Sequence, residues 1–379
     1  MGGSTLTPAT LIVERDGLDA LIGELRAQHR TVLGPLVRDG VITHGEVTGI
    51  DDLPIGWTEQ QSGGTYRLQP TGTDEIFAFS TPSESWKRYV HPPRALMLRA
   101  RREGPAITVE TPRPEPEPVA FFGVRSCDLA ALGILDRVLL DPEATDPNYA
   151  VRRSDIFIVA AGCSTPAATC FCASMQTGPS PTSGFDLSIA ELKGSEPLSY
   201  LIAAGTERGA EVLGLLPGRS ATAADHEHAT AVHDQAVAAM HRTLDAADPP
   251  RAAAAPEHPQ WNDIAERCLA CGNCTMVCPT CFCSSVEDTT SLDGNHTDRT
   301  RVWDSCFGLD FTHMHGGPTR TSIASRYRHW LLHKLVTWQD QFDSSGCVGC
   351  GRCITWCPVG IDLTAEIPKL ARAATEVAP

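Results

Sequence analysis

Apolar side chains at Leu18, Leu21, Ile22 and Leu25 recur at helical spacing, which predicts an amphipathic helix near the start of the chain. Further on the period shortens. Short apolar runs punctuated by Gly and Pro, among them Glu75 to Ser80 and Ala106 to Glu110, read as strands. The clearest unit is a strand at Val119 to Val124, a helix from about Asp128 to Leu140 and a second strand at Asp155 to Ala161. Strand, helix, strand of this length is a βαβ crossover, which makes the two strands parallel. Residues 1–205 therefore read as one α/β domain.

Residues 206–260 differ in kind. A polar, alanine-rich helical stretch runs into Asp248-Pro249-Pro250-Arg251, four alanines and Pro256, the composition of a surface helix followed by a linker. His226, His228, His233 and His241 fall here at irregular spacing in solvated surroundings and read as surface residues. From Trp261 the composition changes again, with 11 of the chain's 15 cysteines in residues 261–379.

Two copies of one spacing carry the chemistry: Cys268, Cys271, Cys274, Cys278-Pro279 and Cys347, Cys350, Cys353, Cys357-Pro358. Both read C-x2-C-x2-C-x3-C-P, the spacing of bacterial-type iron–sulfur ligation. Two intervening residues let the chain curl round an inorganic cube so that three sulfurs of one run reach three iron corners. In two-cluster ferredoxins the fourth cysteine of each run crosses to the other cluster. The expected ligand sets are thus Cys268, Cys271, Cys274 and Cys357 on one [4Fe-4S] cluster, and Cys347, Cys350, Cys353 and Cys278 on the other. Structural zinc competes for paired C-x2-C steps, but it closes with four ligands and gains nothing from a third step or a fixed C-P. Disulfides are disfavoured because no basic n-region and apolar h-region open the chain, so a reducing, cytoplasmic setting is expected. No run of 18 apolar residues occurs, so no membrane insertion is expected.

Cys127, Cys163, Cys170 and Cys172 form a second constellation. On the βαβ reading Cys127 lies just past the first strand at the start of the helix, and Cys163 just past the second strand. Ligands of open α/β sheets bind at this edge. The loop 162–181, rich in Gly, Pro, Ser and Thr, supplies the other two thiols. A third [4Fe-4S] cluster is expected here, with scattered buried thiols or a redox-active pair as the alternatives. Thr169-Cys170-Phe171-Cys172 recurs as Thr280-Cys281-Phe282-Cys283. That leaves Cys281, Cys283 and Cys306 unassigned: they could line the clusters, exchange roles with the ligands, or bind another metal with His313 or His315.

Charge and missing motifs bound the function. Lys plus Arg against Asp plus Glu is 31 against 46, a net charge of −15, which disfavours a nucleic-acid role. Yet Pro318 to Lys334 holds Arg320, Arg326, Arg328 and Lys334 and no acid. Such a helix either lies over the clusters and offsets their charge, or docks another protein of the same complex. No G-x-G-x-x-G or G-x-x-x-x-G-K-[ST] motif occurs, nor do the paired cysteine motifs of a nickel–iron site. A carrier of electrons without source or sink is most simply one component of a larger oxidoreductase, and no catalytic residue is assigned.

The segments Gly123 to Asp128 (GVRSCD), Thr169 to Pro179 (TCFCASMQTGP), Cys268 to Cys283 (CLACGNCTMVCPTCFC), Trp303 to Phe307 (WDSCF), Arg326 to Trp330 (RYRHW) and Cys347 to Pro358 together resemble the 4Fe-4S dicluster family. That family includes the beta subunits of cytosolic NADP-linked nickel–iron hydrogenases, or sulfhydrogenases, and one of the subunits of anaerobic sulfite reductase. The resemblance spans residues from about 10 to 370 apart from 206–260. It implies an α+β protein with an N-terminal α/β domain followed by a helical, ferredoxin-like two-cluster domain. It also implies a cytoplasmic complex in which the chain relays electrons between the nickel–iron hydrogenase small and large subunits and a flavin/NAD(P)-binding subunit. The alternatives are a standalone ferredoxin-like carrier, a metal-stabilised interaction protein or the sulfite reductase component.

Overall fold

The computed structural model describes residues 10–115 and 117–376. It is a mixed α/β structure. Among these residues eight strands form one mixed sheet in the order Arg219–Ser220, Thr10–Val13, Ser199–Ala204, Leu187–Leu192, Ile156–Ala161, Val119–Arg125, Thr31–Arg38, Val41–Glu46. The four central strands, from Leu187–Leu192 to Thr31–Arg38, run parallel to one another. The strands outside them pair antiparallel.

Ile156–Ala161 is buried along its whole length, as a central parallel strand covered on both faces must be. The helix Arg15–Ala27 presents Leu18, Leu21, Ile22 and Leu25 to one core, all four fully buried. The helix Ser126–Leu139 covers the other face through Leu129, Leu132 and Leu135.

Glu75 to Ser80, expected as a strand, belongs to no sheet. Residues 76–80 are nonetheless buried. Their backbone groups find side chains instead of a ladder, which is how a buried irregular segment avoids orphaned polar groups. Glu191 accepts from the amides of Ile76 (2.7 Å) and Phe77. Arg125 donates to the carbonyls of Phe77, Phe79 and Ser80, and Glu59 accepts from the Ser80 amide.

A second sheet joins distant stretches in the order Ser284–Thr290, His296–Trp303, Arg94–Glu103, Ala106–Glu110. His296–Trp303 pairs antiparallel with Arg94–Glu103, so the first hundred residues and the cysteine-rich region share one sheet. Residues 206–260 are not a free linker. Proline is tolerated in a helix's first turn, and Asp248–Ala253 forms a short helix with Ala252 fully buried. Arg242 bonds to the Ala168 carbonyl and pairs with Asp362 at 2.6 Å, tying this segment to the cysteine loop and to the C-terminal region. His226 and His241 are exposed, His228 meets the Lys193 carbonyl at 2.9 Å and His233 the Ser180 hydroxyl at 2.7 Å.

Candidate functional site

The two C-x2-C-x2-C runs fold alike, and the reason is local. Within the first, Ala270 (φ 51°) and Gly272 (φ 72°) are left-handed; within the second, Gly349 (φ 64°) and Gly351 (φ 74°) are. One left-handed residue in each gap between successive cysteines reverses the chain tightly enough to aim three thiols inward. Each run then closes in a one-turn helix, Asn273–Met276 and Arg352–Thr355. Asn273 donates through its side chain to the Trp356 carbonyl and so binds one run to the other.

The first thiol set surrounds a space partly open to solvent and lined by Cys268, Cys271, Cys274 and Cys357. Tyr327, Trp330 and Phe307 wall it with apolar surface, and Cys353 reaches its edge. Burial, then the charge of Cys268, Cys357 and Cys271, pushes the Cys274 thiol far up. In the second set, burial and the neighbouring Cys347, Cys350 and Cys278 drive Cys353 up. Cys347 is pushed to about 12, mainly by burial.

Thiols gathered in water-poor surroundings are suited to metal, whose charge replaces their protons and offsets the cost that burial puts on the thiolates. Among the described residues no three Cys, His, Asp or Glu side chains close on one point as ligands of a single ion do. The first set instead lines a space, which is the requirement of a multi-iron cube. The donors, the cavity and the apolar walls fit an iron–sulfur cluster.

Cys127, Cys163, Cys170 and Cys172 come together at the sheet edge. The strand Val119–Arg125 ends two residues before Cys127, and Ile156–Ala161 ends two before Cys163. Cys170 and Cys172 are raised first by burial and then by Cys163, and Cys127 by burial, Asp128 and Cys172. Cys350 lies against this group: the Cys170 thiol meets its carbonyl at 3.8 Å, and Cys127, Cys172 and Cys350 share one buried cluster with Trp338 and Val348. The Phe171 amide donates to the Gly349 carbonyl at 2.8 Å. Met240 covers the group, 3.9 Å from the Cys172 sulfur.

Cys281 and Cys283 gather with Cys278 round Lys87, and Cys306 lies against Cys283. The Cys281 thiol hydrogen-bonds Cys278, and Cys283 pairs with Cys306. The Cys281 hydrogen bond and the Lys334 ammonium hold Cys278 well below the usual thiol range. Cys283 falls to about 7, chiefly through Cys306. His313 and His315 are exposed on a short hairpin.

The basic helix, Ile323–Leu332, runs over the first cavity and turns Arg326 inward, and the π-helical turn His333–Thr337 that continues it does the same with Lys334. Lys334 Nζ donates to Cys278 Sγ (3.1 Å) and Thr280 Oγ1 (2.7 Å). Burial works against its charge, but Cys278, Cys281 and Cys347 outweigh burial and hold it above the usual lysine range. Lys87 is a member of the site with no local signal in the sequence. Its Nζ donates to the Cys281 carbonyl at 2.9 Å and lies 3.9 Å from the Trp303 ring centre. Burial lowers it, and the Cys281 and Cys278 thiols offset this only in part.

Duplicated cysteine runs, folded alike and joined face to face round a thiol-lined cavity, define an iron–sulfur protein of the ferredoxin type. Residues 267–361 match the 4Fe-4S dicluster domain. Over 306 residues the chain is 32% identical to sulfhydrogenase 2 subunit beta of Pyrococcus furiosus, a match spanning 79% of this chain and 86% of that protein. The chain belongs to the 4Fe-4S dicluster family that includes the sulfhydrogenase beta subunits. No solved structure matches it.

Proposed function

We propose that the chain is the iron–sulfur electron-transfer component of a cytoplasmic hydrogenase-type complex. In this reading it links a flavin/NAD(P)-binding subunit to nickel–iron hydrogenase small and large subunits. Cys268, Cys271, Cys274 and Cys357 hold one [4Fe-4S] cluster, Cys278, Cys347, Cys350 and Cys353 a second, and Cys127, Cys163, Cys170 and Cys172 a third. Bound clusters supply one-electron transfer. The chain's own residues fix the order of the sites, exclude water with Tyr327, Trp330 and Met240, and place Lys334 where it favours negative charge. The observation that carries the reading is the contiguity of the thiol sets. Cys350 packs against Cys127 and Cys172, and Cys353 of the same run reaches the cavity of the first set. Three adjacent centres across one chain form a relay.

Anaerobic purification from the source organism tests this. A flavoprotein and nickel–iron subunits should copurify, and the isolated chain should neither evolve hydrogen nor oxidise NADPH, because turnover needs their cofactors. A sirohaem protein in their place would assign the chain to sulfite reduction. Hydride transfer from a nicotinamide to the chain alone would overturn the proposal.

A further inference from the structure

Three polar side chains of the helix Ile323–Leu332 keep a buried donor with no acceptor among the described residues: Arg326 at Nε, Tyr327 at its hydroxyl and Trp330 at Nε1. A buried hydroxyl or indole N–H ordinarily finds a partner, because leaving one unpaired costs stability. Arg326 is anchored in part, since its Nη1 donates to the Phe307 carbonyl at 2.9 Å. Tyr327 and Trp330 have no such anchor. They are 3% and 4% exposed, and both line the cavity of Cys268, Cys271, Cys274 and Cys357.

Spacing and packing fix where these donors sit. Residues 327 and 330 are three apart and share one helix face. Their ring centres lie 5.4 Å from each other, and that of Phe307 lies 6.2 Å from Tyr327 and 5.9 Å from Trp330. Rings wedged against one another in this way hold their polar ends in place. The groups that act on the Tyr327 hydroxyl identify its surroundings: burial, then Cys274, Cys353, Glu366 and Cys268, holds its proton well above the usual phenol range. Glu366 is engaged elsewhere, by Gln260 Nε2 at 2.6 Å, Arg267 Nη2 at 2.8 Å and Lys369 Nζ at 3.5 Å. What is left to face the hydroxyl is sulfur.

We propose that Tyr327 and Trp330 donate hydrogen bonds, through the phenol O–H and the indole N–H, to sulfur atoms of the first cluster and so make that cluster easier to reduce. The inference rests on the cluster reading given above, which places a [4Fe-4S] cluster among Cys268, Cys271, Cys274 and Cys357. A donor aimed at cluster sulfur stabilises the reduced form, which carries one more negative charge, over the oxidised form. No covalent bond changes: one electron arrives from a neighbouring centre, and both donors keep their protons. The second set has a different device, the Lys334 ammonium 3.1 Å from Cys278 Sγ, so the two sites are separable by substitution.

The test uses the full chain in its complex, purified anaerobically, with iron counted and each reduced-cluster signal titrated against potential by electron paramagnetic resonance. Tyr327→Phe removes the hydroxyl and keeps the ring, and Trp330→Phe removes the indole N–H. At unchanged iron content each should shift the reduction equilibrium of one signal about tenfold toward the oxidised form, or about 59 mV more negative for a one-electron couple. The signal that moves should be the one that Cys274→Ser removes. A ring-fluorinated tyrosine in place of Tyr327 nearly keeps the shape, makes the phenol a stronger donor and should move the same signal the opposite way, which a purely structural role for the ring would not do. Potentials unmoved by all three substitutions at full iron content, or a shift confined to another signal, would overturn the hydrogen bonds and leave the clusters standing. Iron content unchanged by Cys274→Ser would sink the first cluster itself, and this inference with it.

Discussion

Asp128 and Arg352 form a bidentate ion pair, with contacts of 2.8 and 2.9 Å and both side chains 1% exposed. Asp128 follows Cys127, and Arg352 stands between Cys350 and Cys353, so the pair locks the N-terminal thiol set to the second ferredoxin-type run. Arg352 directs its remaining donors to the carbonyls of Pro82 and Glu84.

Removing one partner leaves an unpaired buried charge. Arg352→Met or Asp128→Asn should therefore destabilise the protein by about 3–5 kcal/mol. The double variant Asp128→Leu with Arg352→Met should melt higher than Arg352→Met alone. Equal melting temperatures for those two proteins would show that the pair's charge is not what Asp128 contributes.

Gly349 and Gly351 pack on the backbone of the N-terminal cysteine loop. A Cβ on Gly349 would lie 2.7 Å from the Cys172 Cα, and left-handed backbone at both positions adds about 1–2 kcal/mol of strain for any other L-residue. Gly349→Ala should lower the melting temperature and deplete iron from the N-terminal set, while Gly294→Ala, whose Cβ meets nothing, should carry only the backbone strain. Indistinguishable iron contents in the two variants would mean that the loop yields at no cost to its thiols.

What could be read from the chain was whatever is written in short spacing. The helix at Leu18 to Leu25, the βαβ unit and the cysteine runs each rest on neighbours within one or two turns. What could not be read was settled across long separations. Glu75 to Ser80 has a strand's composition, but its amides bond Glu191, 115 residues from Ile76, and so it leaves the sheets. Lys87 reaches Cys281 across 194 residues, and nothing near Lys87 announces a thiol site. For Lys334 a signal did exist, the absence of acids from Pro318 onward, although it could not say which of the basic residues turns inward. Asp248 to Ala253, read as the start of a linker, is a short helix, because proline in a first helical turn looks the same in sequence as proline in a linker.

Glu191 gives a pH dependence away from the thiols. Burial pushes its carboxyl up to about 7, against an ordinary 4.5, although the Ile76 and Phe77 amides favour its charged form. The folded state thus keeps a proton that the unfolded chain gives up. Stability from this group is full below about 4.5 and is lost as pH rises through about 7, roughly 3 kcal/mol in all. Melting curves from pH 5 to 8 should fall more steeply for the wild type than for Glu191→Gln, which has no proton to lose. Parallel curves would place the Glu191 proton elsewhere.

Crossed ligation makes the last prediction. Cys357 lies in the second run by sequence, but it lines the cavity of Cys268, Cys271 and Cys274. Cys278 lies in the first run, yet it faces Cys347, Cys350 and Cys353. If thiols ligate where they lie, Cys357→Ser must perturb the same cluster as Cys274→Ser, and Cys278→Ser the same cluster as Cys350→Ser. Each substitution should remove or alter one reduced-cluster signal, and the signals should group as 274 with 357 and 278 with 350. Grouping by sequence run, 274 with 278 and 350 with 357, would show that each run closes on its own cluster. The chain would then have to rotate Cys357 out of the apolar cavity, away from Tyr327 and Trp330, and so unpack the helix Ile323–Leu332.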